Sequence, residues 1–499
     1  MNAKTNKMKA VVSALTALAF ASACTMGPDY ARPSLPVPPS YKEAGATTDV
    51  NWKAAQPSDA IPREAWWKVF ADPDLDTLEA QVDISNQNIA AAEARWRQAQ
   101  ALTQQARAAL FPLVSAAASA TRSQAPVGTV NVQNGTVGAG IRNNINVELN
   151  VSWEIDLWGR VRRTIEANEA GAQASLGDLE AAKLSAQADL ATDYWLLRVQ
   201  DAAVAYLRDT VDAYEKSLQL TRNQYAAGVV GRVDVVLAET QYNSTKAQLL
   251  DATIQRAQLE HAIALLIGKA PADFSLAPTS LHTSFPAIPP GLPSALLERR
   301  PDVAAAERRV TAANAQIGVA KAAYFPALTL SAGGGFQNSV LGNLFTLPNR
   351  YWSIGPALAQ AVFDAGLRQA QTAQAIATYD ESVATYREIV LTAFVDVEDN
   401  LAALRILEQE AVAQAAAVEA ARESAAITNN QYKAGIVNYL SVAVAQAAEL
   451  NNERSALTIL GRRMTASVAL IKALGGGWDA SALQDGGASN GAGPTVTRP

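Results

Sequence analysis

The stretch Asn144–Leu157, Asn-Ile-Asn-Val-Glu-Leu-Asn-Val-Ser-Trp-Glu-Ile-Asp-Leu, constrains this chain more than any other. Its odd positions, Ile145 through Leu157, are all apolar, and its even positions, Asn144 through Asp156, are all polar. Side chains alternate across a β-strand, so this strand has one greasy and one wet face. Such a strand suits the surface of a soluble sheet. It equally suits the wall of a barrel with an aqueous lumen and lipid outside, where a crossing strand needs roughly 9–11 residues. Its neighbours decide between the two.

A second, weaker amphipathic strand precedes it at Leu113–Ser123, where Val114, Ala116, Ala118 and Ala120 alternate with Ser115, Ser119 and Thr121. Ser123–Arg142 between them is rich in Gly, Asn, Val and Thr and reads as a loop. Before the strands, Asp72-Pro73 marks a helix start and Leu75–Phe111 is helical in composition, ending at Pro112. After them, Trp158-Gly159-Arg160 punctuates and a helical run continues to about Tyr225. At 1.5 Å per residue, roughly 65 residues make about 100 Å of helix. An ordinary globular domain has no room for that, so the run needs a coiled-coil or helical-barrel partner. The hydrophobic share of 49%, much of it alanine, fits helices packed closely together. Ala226–Gly231 ends the run, and a shorter helix follows from about Val233 to Ile267.

The second half repeats the first. Ile89–Glu93 matches Val303–Glu307, Phe111-Pro112 matches Phe325-Pro326, Asp156–Gly159 matches Asp364–Gly366 with one residue dropped, and Gln224–Gly228 matches Gln431–Gly435. Four anchors in one order indicate a duplication. Each half then reads helix, strand, loop, strand, long helix, turn, shorter helix. The second pair of strands is expected near Ala327–Phe336 and Tyr351–Phe363, and the second long helix near Leu367–Tyr432. Four strands cannot close a barrel, for which about eight is the smallest useful number. Open-edged strands cannot remain in lipid either, so the chain must borrow strands from copies of itself.

The expected division is a signal peptide over residues 1–23, an extended N-terminal arm over 24–71, a first repeat over 72–268, a Pro-rich linker over 269–293, a second repeat over 294–474, and a Gly-, Ser- and Asn-rich tail over 475–499. Lys4, Lys7 and Lys9, the apolar run Ala10–Phe20 and Ala21-Ser22-Ala23 form the leader pattern. Cys24, the single cysteine, falls at the cut. Ala21-x-Ala23 satisfies ordinary cleavage, and small-small-Cys also suits lipid attachment at Cys24, which would tether the arm to a bilayer. Trp66, Trp67 and Phe70 give the arm apolar anchors.

Other chemistry is thinly provided for. A net charge of −6 with 18% charged residues leaves no basic footprint for nucleic acid. With one cysteine and two histidines, disulfides and most His/Cys metal sites are excluded, and no cofactor is expected. His261 on a helix and His282 in the linker have no nucleophile in sequence context and read as structural. Gly333-Gly334-Gly335 lies in a strand with no helix or Lys-Ser/Thr after it, so it is no phosphate cradle. Asp396 and Glu398, two apart on a helix, share no face. The chain is not expected to be an enzyme.

Glu298-Arg299-Arg300-Pro301-Asp302-Val303, Asn314-Ala315-Gln316-Ile317-Gly318 and Tyr324-Phe325-Pro326-Ala327-Leu328-Thr329-Leu330 together resemble the bacterial outer membrane efflux proteins, the TolC-like ducts. The start Cys24-Thr25-Met26-Gly27-Pro28-Asp29-Tyr30 resembles the OprM-like lipoprotein branch that serves resistance-nodulation-division (RND) pumps. The likeness covers nearly the whole mature chain. It implies an α+β membrane duct built as a homotrimer: a trans-subunit β-barrel of four strands per chain, twelve per trimer, continued by a long α-helical barrel. It also implies a periplasmic membrane-fusion adaptor and an inner-membrane RND pump as partners, with outer membrane lipid around the barrel. Small molecules would be the cargo. A polypeptide-secretion or metal-efflux duct of the same fold is the alternative, and a lipid-anchored coiled-coil protein without a pore is the alternative from another class.

In such ducts the periplasmic end closes at two helix–turn–helix tips, which match Gln224–Asp234 and Gln431–Val444. The resemblance assigns a pairing across the tip to Asp234 and Tyr432. The arginine the family would place after the second turn is Val437 here, and its acidic ring positions are Ser441 and Val444. The closing contacts must therefore differ, with Arg232 and Asn438 as candidates. Asp234 equally suits a helix N-cap, and Tyr432 equally suits local packing. Trp153 and Trp352 suit the level where a barrel meets headgroups, or packing on the next copy.

Overall fold

The computed structural model describes residues 25–35, 37–43, 65–124, 141–279 and 299–476. The leader, Cys24, most of the linker and most of the tail lie outside the described residues. Two compact units emerge, one from Met1–Pro33, Trp96–Ala174 and Ala306–Thr385, the other from Ser34–Arg95, Ser175–Ala305 and Tyr386–Pro499. Each draws on both sequence repeats.

The duplication is plain in the elements. Helices α2 (Gln87–Ala108) and α5 (Pro301–Ala322) have 22 residues each, and α3 (Arg160–Ala226) and α6 (Leu367–Lys433) have 67 each. Helices α4 (Arg232–Leu266) and α7 (Tyr439–Ala473) have 35 each. Ahead of α2 the first repeat has a helix α1 (Pro73–Ser85), capped by Asp72, whose carboxylate accepts from the amides of Asp74 and Leu75. Pro73 stands at its first position.

One expectation needs correcting. The run Leu75–Phe111 is two helices, broken at Asn86, and it ends at Ala108. The Asn86 Oδ1 accepts from the amides of Asn88 (2.9 Å) and Ile89 (3.2 Å), while its Nδ2 donates to the Leu266 carbonyl at 2.8 Å. One amide thus starts α2 and ties it to the end of α4. Asn86→Ala removes both functions and is expected to cost about 1–2 kcal/mol. Faster amide exchange at the start of α2 and the end of α4 would show it; exchange changed at α2 alone would mean that the Leu266 bond contributes nothing.

In the first unit the strands β1 (Leu113–Gln124), β2 (Ile141–Ile155), β3 (Ala327–Asn338) and β4 (Arg350–Ala359) form one antiparallel sheet in the order β1-β2-β3-β4. The register puts Val147 beside Ala118 and Phe336, Val151 beside Val114 and Ala332, and Trp153 beside Leu330, which pairs with Pro356. Every apolar alternate position therefore falls on one face. The opposite face carries Asn146, Glu148 and Asn150 of β2 and Tyr351 of β4. The outer edges of β1 and β4 have no strand partner among the described residues.

Gly335 lies between Glu148 and Tyr351 in this register. A Cβ there would approach the Val147 carbonyl oxygen to 2.2 Å, so only glycine fits. Across it the Tyr351 hydroxyl donates to Glu148 Oε2 (2.7 Å) and Asn146 Oδ1 (2.9 Å). The tyrosine ring covers the bare backbone of a weak strand residue. The glycine run is thus a sheet device.

Where strand becomes helix, Trp158 stacks on Phe325 at 4.7 Å and its Nε1 donates to the Pro326 carbonyl. The N-terminal arm docks beside them. The Met26 amide donates to the Trp158 carbonyl, and buried Arg163 reaches the Met26 carbonyl and the Asp29 carboxylate, both at 3.2 Å. In the second unit Trp66, Trp67 and Phe70 are buried as a short 3-10 turn, with Phe70 against Trp195. Among the described residues no helix is long and apolar enough to cross a membrane.

Candidate functional site

The two tips close by the same backbone chemistry. At the end of α3, Gly228 adopts φ +74 and the Val229 amide returns to the Gln224 carbonyl; at the end of α6, Gly435 adopts φ +73 and the Ile436 amide returns to Gln431. These six-to-one bonds satisfy orphan carbonyls and need a left-handed residue, which glycine supplies without strain.

Between the tips lies a small core of Leu218 on α3, Ala238 on α4, Tyr432 on α6, and Tyr439 and Val442 on α7. The two tyrosine rings meet edge to face at 5.5 Å. The Tyr432 hydroxyl donates to Gln224 Oε1 at 2.8 Å, and the Tyr439 hydroxyl to Gln241 Oε1 at 3.2 Å. Burial raises both phenols above their ordinary range; the Asp234 carboxylate raises them further. Arg222 pairs with Glu239 at 2.7 Å and pins α3 to α4.

The tip residues named from the sequence behave unequally. Tyr432 is buried at the centre, but its hydrogen bond runs to Gln224, and Asp234 acts on it through charge. Asp234 is not the cap of α4: Gly231 occupies that position and Asp234 stands in the first turn, where a carboxylate favours the helix dipole. Asn438 is itself a cap, its Oδ1 accepting from the amide and hydroxyl of Ser441. Arg232 is exposed on the first turn of α4. Val437 packs against the tyrosine core, so apolar contact stands where a cation was sought.

Tyr439, Gln224 and Gln241 escaped the sequence reading. Tyr225 and Tyr432 are repeat partners, yet the first is exposed and the second buried, so the tyrosine core belongs to one tip only.

The sheet aromatics also divide. Trp153 is half-buried and its Nε1 donates to the Leu110 carbonyl at 2.9 Å, which holds the strand base. Trp352 is 74% exposed on the apolar face. No group of metal-ligating residues occurs among the described residues.

The sequence profile described as "Outer membrane efflux protein" matches residues 80–269 and 292–476. The toluene efflux pump outer membrane protein TtgF of Pseudomonas putida is 31% identical over 460 residues, covering 92% of this chain and 95% of that protein. The outer membrane protein OprJ of Pseudomonas aeruginosa is 31% identical over 476 residues, covering 94% and 96%. Among solved structures, the outer-membrane channel OprN superposes with a TM-score of 0.82 at 30% identity, covering 91% of this chain and all of that one. The fold is that of the TolC-like channels, which join a helical barrel to a β-barrel shared between subunits. With two matched halves, and relatives aligned along nearly their whole length, this chain belongs to the outer membrane efflux protein family, a family of channels and not of enzymes.

Proposed function

We propose that the chain assembles as a homotrimeric duct that passively exports small toxic molecules handed over by an inner-membrane RND pump through a periplasmic adaptor. The sheet carries this reading: one face is apolar from the strand bases up to a polar end, the other face is polar, and the outer edges of β1 and β4 have no strand partner among the described residues. Three copies joined edge to edge give a closed barrel with water inside and lipid outside, which satisfies every ladder group. Relatives named for toluene efflux support apolar cargo.

The tip core of Tyr432, Tyr439 and Gln224, with Asp234 beside it, is the periplasmic closure in this reading. Arg232 and Asn438 shape the turns around it. The exposed Val229 and Ile436 at the two turns offer apolar surface to an adaptor. Acylation of Cys24 fits the docked arm: Thr25, the next residue, lies against Gly159 at the strand-to-helix junction, where the inner leaflet would end.

Dye and antibiotic accumulation in cells lacking the gene, with and without a plasmid copy, tests the export reading. Raised accumulation that the plasmid reverses is expected. Unchanged accumulation, with a secreted polypeptide retained instead, would favour the secretion duct.

A further inference from the structure

The apolar face of the sheet has a defined upper limit. At the end far from the helices its alternate positions turn polar on every strand: Arg122 on β1, Asn143 on β2, Asn338 on β3 and Arg350 on β4. Between that line and the strand bases the face carries no charge among the described residues. Both arginines are exposed. A guanidinium is far costlier at the midplane of a barrel wall than near the interface. The line therefore marks the headgroup level. Helices α2, α3, α5 and α6 join the opposite end of the sheet, so in an outer membrane channel this end faces the outer leaflet.

The loop between β3 and β4 sits at the same level and is firmly shaped. The Asn338 Oδ1 accepts from the amides of Ser339 (2.6 Å) and Val340 (3.2 Å), and the Asn343 carbonyl accepts from Asn349 Nδ2 at 2.7 Å. Leu344 is buried beneath it. The Phe345 ring packs edge-on against Phe336 with centroids 5.5 Å apart. Phe336 lies on the apolar face and pairs directly with Arg350. The loop thus folds down over the lipid side. It nonetheless exposes Val340, Leu341, Phe345 and Leu347, the last at 76%. A well-formed loop presenting four large apolar side chains beside an arginine with no acidic partner among the described residues needs an amphipathic cover.

We propose that this loop and Arg350 form a binding surface for the phosphorylated glycolipid of the outer leaflet. The apolar side chains rest at the acyl-chain boundary, and the Arg350 guanidinium takes a headgroup phosphate, whose oxygens match its paired N–H groups. A second copy of the chain is a poorer occupant, since copies join through the edges of β1 and β4 and leave this face outward. The surface depends on the barrel and not on the cargo, so a failure here and a failure of the export reading show in separate assays.

The test is native mass spectrometry of the full chain in detergent, incubated with bisphosphorylated lipid A or its dephosphorylated form. Wild type is expected to retain at least about threefold more of the phosphorylated lipid, R350K part of that preference and R350Q none. Excess inorganic phosphate should not displace the lipid. Equal retention of the two lipids by wild type, a preference intact in R350Q, or displacement by free phosphate would each overturn the proposal. Should R350Q fail to assemble, F345S/L347S keeps the arginine: it should bind less of both lipids and preserve the preference, and unchanged total retention would overturn the apolar half.

Discussion

Tyr439→Ala is expected to make the duct leak. The ring is 1% exposed and stands at the point where α3, α4, α6 and α7 share a core, in edge-to-face contact with Tyr432. Truncating a buried aromatic costs about 3–5 kcal/mol. Where that core exists only in the closed arrangement, the loss falls on closure, and about 3 kcal/mol shifts a closed-to-open equilibrium roughly a hundredfold. Tyr432→Phe is the graded companion. It keeps the ring and loses only the hydroxyl bond to Gln224, about 1 kcal/mol, so a shift of about fivefold is expected. Neither phenol ionises near neutral pH, because burial raises both, so closure by these two residues should not vary between pH 5 and pH 8. Single-channel conductance in planar bilayers reads the effect directly. Susceptibility of cells to a large hydrophilic antibiotic, normally stopped by the outer membrane, reads it in vivo. An assembled Tyr439→Ala trimer with wild-type conductance would place the closure elsewhere.

The architecture was legible where local pattern and tertiary demand coincide. Alternation at Asn144–Leu157 identifies a two-faced strand whatever it pairs with, and the ladder keeps that parity across all four strands. The matched Gln-Tyr-x-Ala-Gly anchors identify the turns because a left-handed glycine is a local requirement. Legibility fails where a residue answers to a distant one. The expected last strand ran to Phe363, but β3 begins at Ala327 and pairs with Ala359, so the ladder has nothing to bind further on. Asn86 looks like one more polar residue in a helix until Leu266 is known to lie beside it. At the tips the sequence supplied Tyr432 and Asp234 but not the partner. Val437 and Tyr439 show why: the contact is apolar, and an apolar pair leaves no signature as specific as a charge pair.

The second large effect lies in α1, where Glu79→Leu is expected to stabilise the protein. Leu75, Leu78, Glu79 and Val82 follow the i, i+3, i+4, i+7 spacing of one helix face, and all four are buried. Glu79 is 0% exposed, and neither carboxyl oxygen has a hydrogen-bond partner among the described residues. Burial, with Asp83 and Asp76 nearby, pushes its pKa from 4.5 up to about 10. The native chain therefore holds a proton that the unfolded chain sheds above pH 4.5. The resulting penalty is absent below that pH and grows as pH rises towards the folded value. At pH 7 it amounts to roughly 3 kcal/mol, from about 2.5 pH units at 1.36 kcal/mol each. Leucine carries no such penalty and fills the same face, whereas Glu79→Gln removes the titration but leaves a buried amide without partners, so it should gain less. Because heat unfolding of a membrane trimer is irreversible, the useful measure is the dissociation temperature of the assembled trimer at fixed scan rate, at pH 5 and at pH 8. The leucine variant should exceed wild type clearly at pH 8 and only slightly at pH 5. A gain equal at both values would assign the effect to apolar packing alone, and no gain at pH 8 would mean that the Glu79 carboxyl is solvated in the assembled duct.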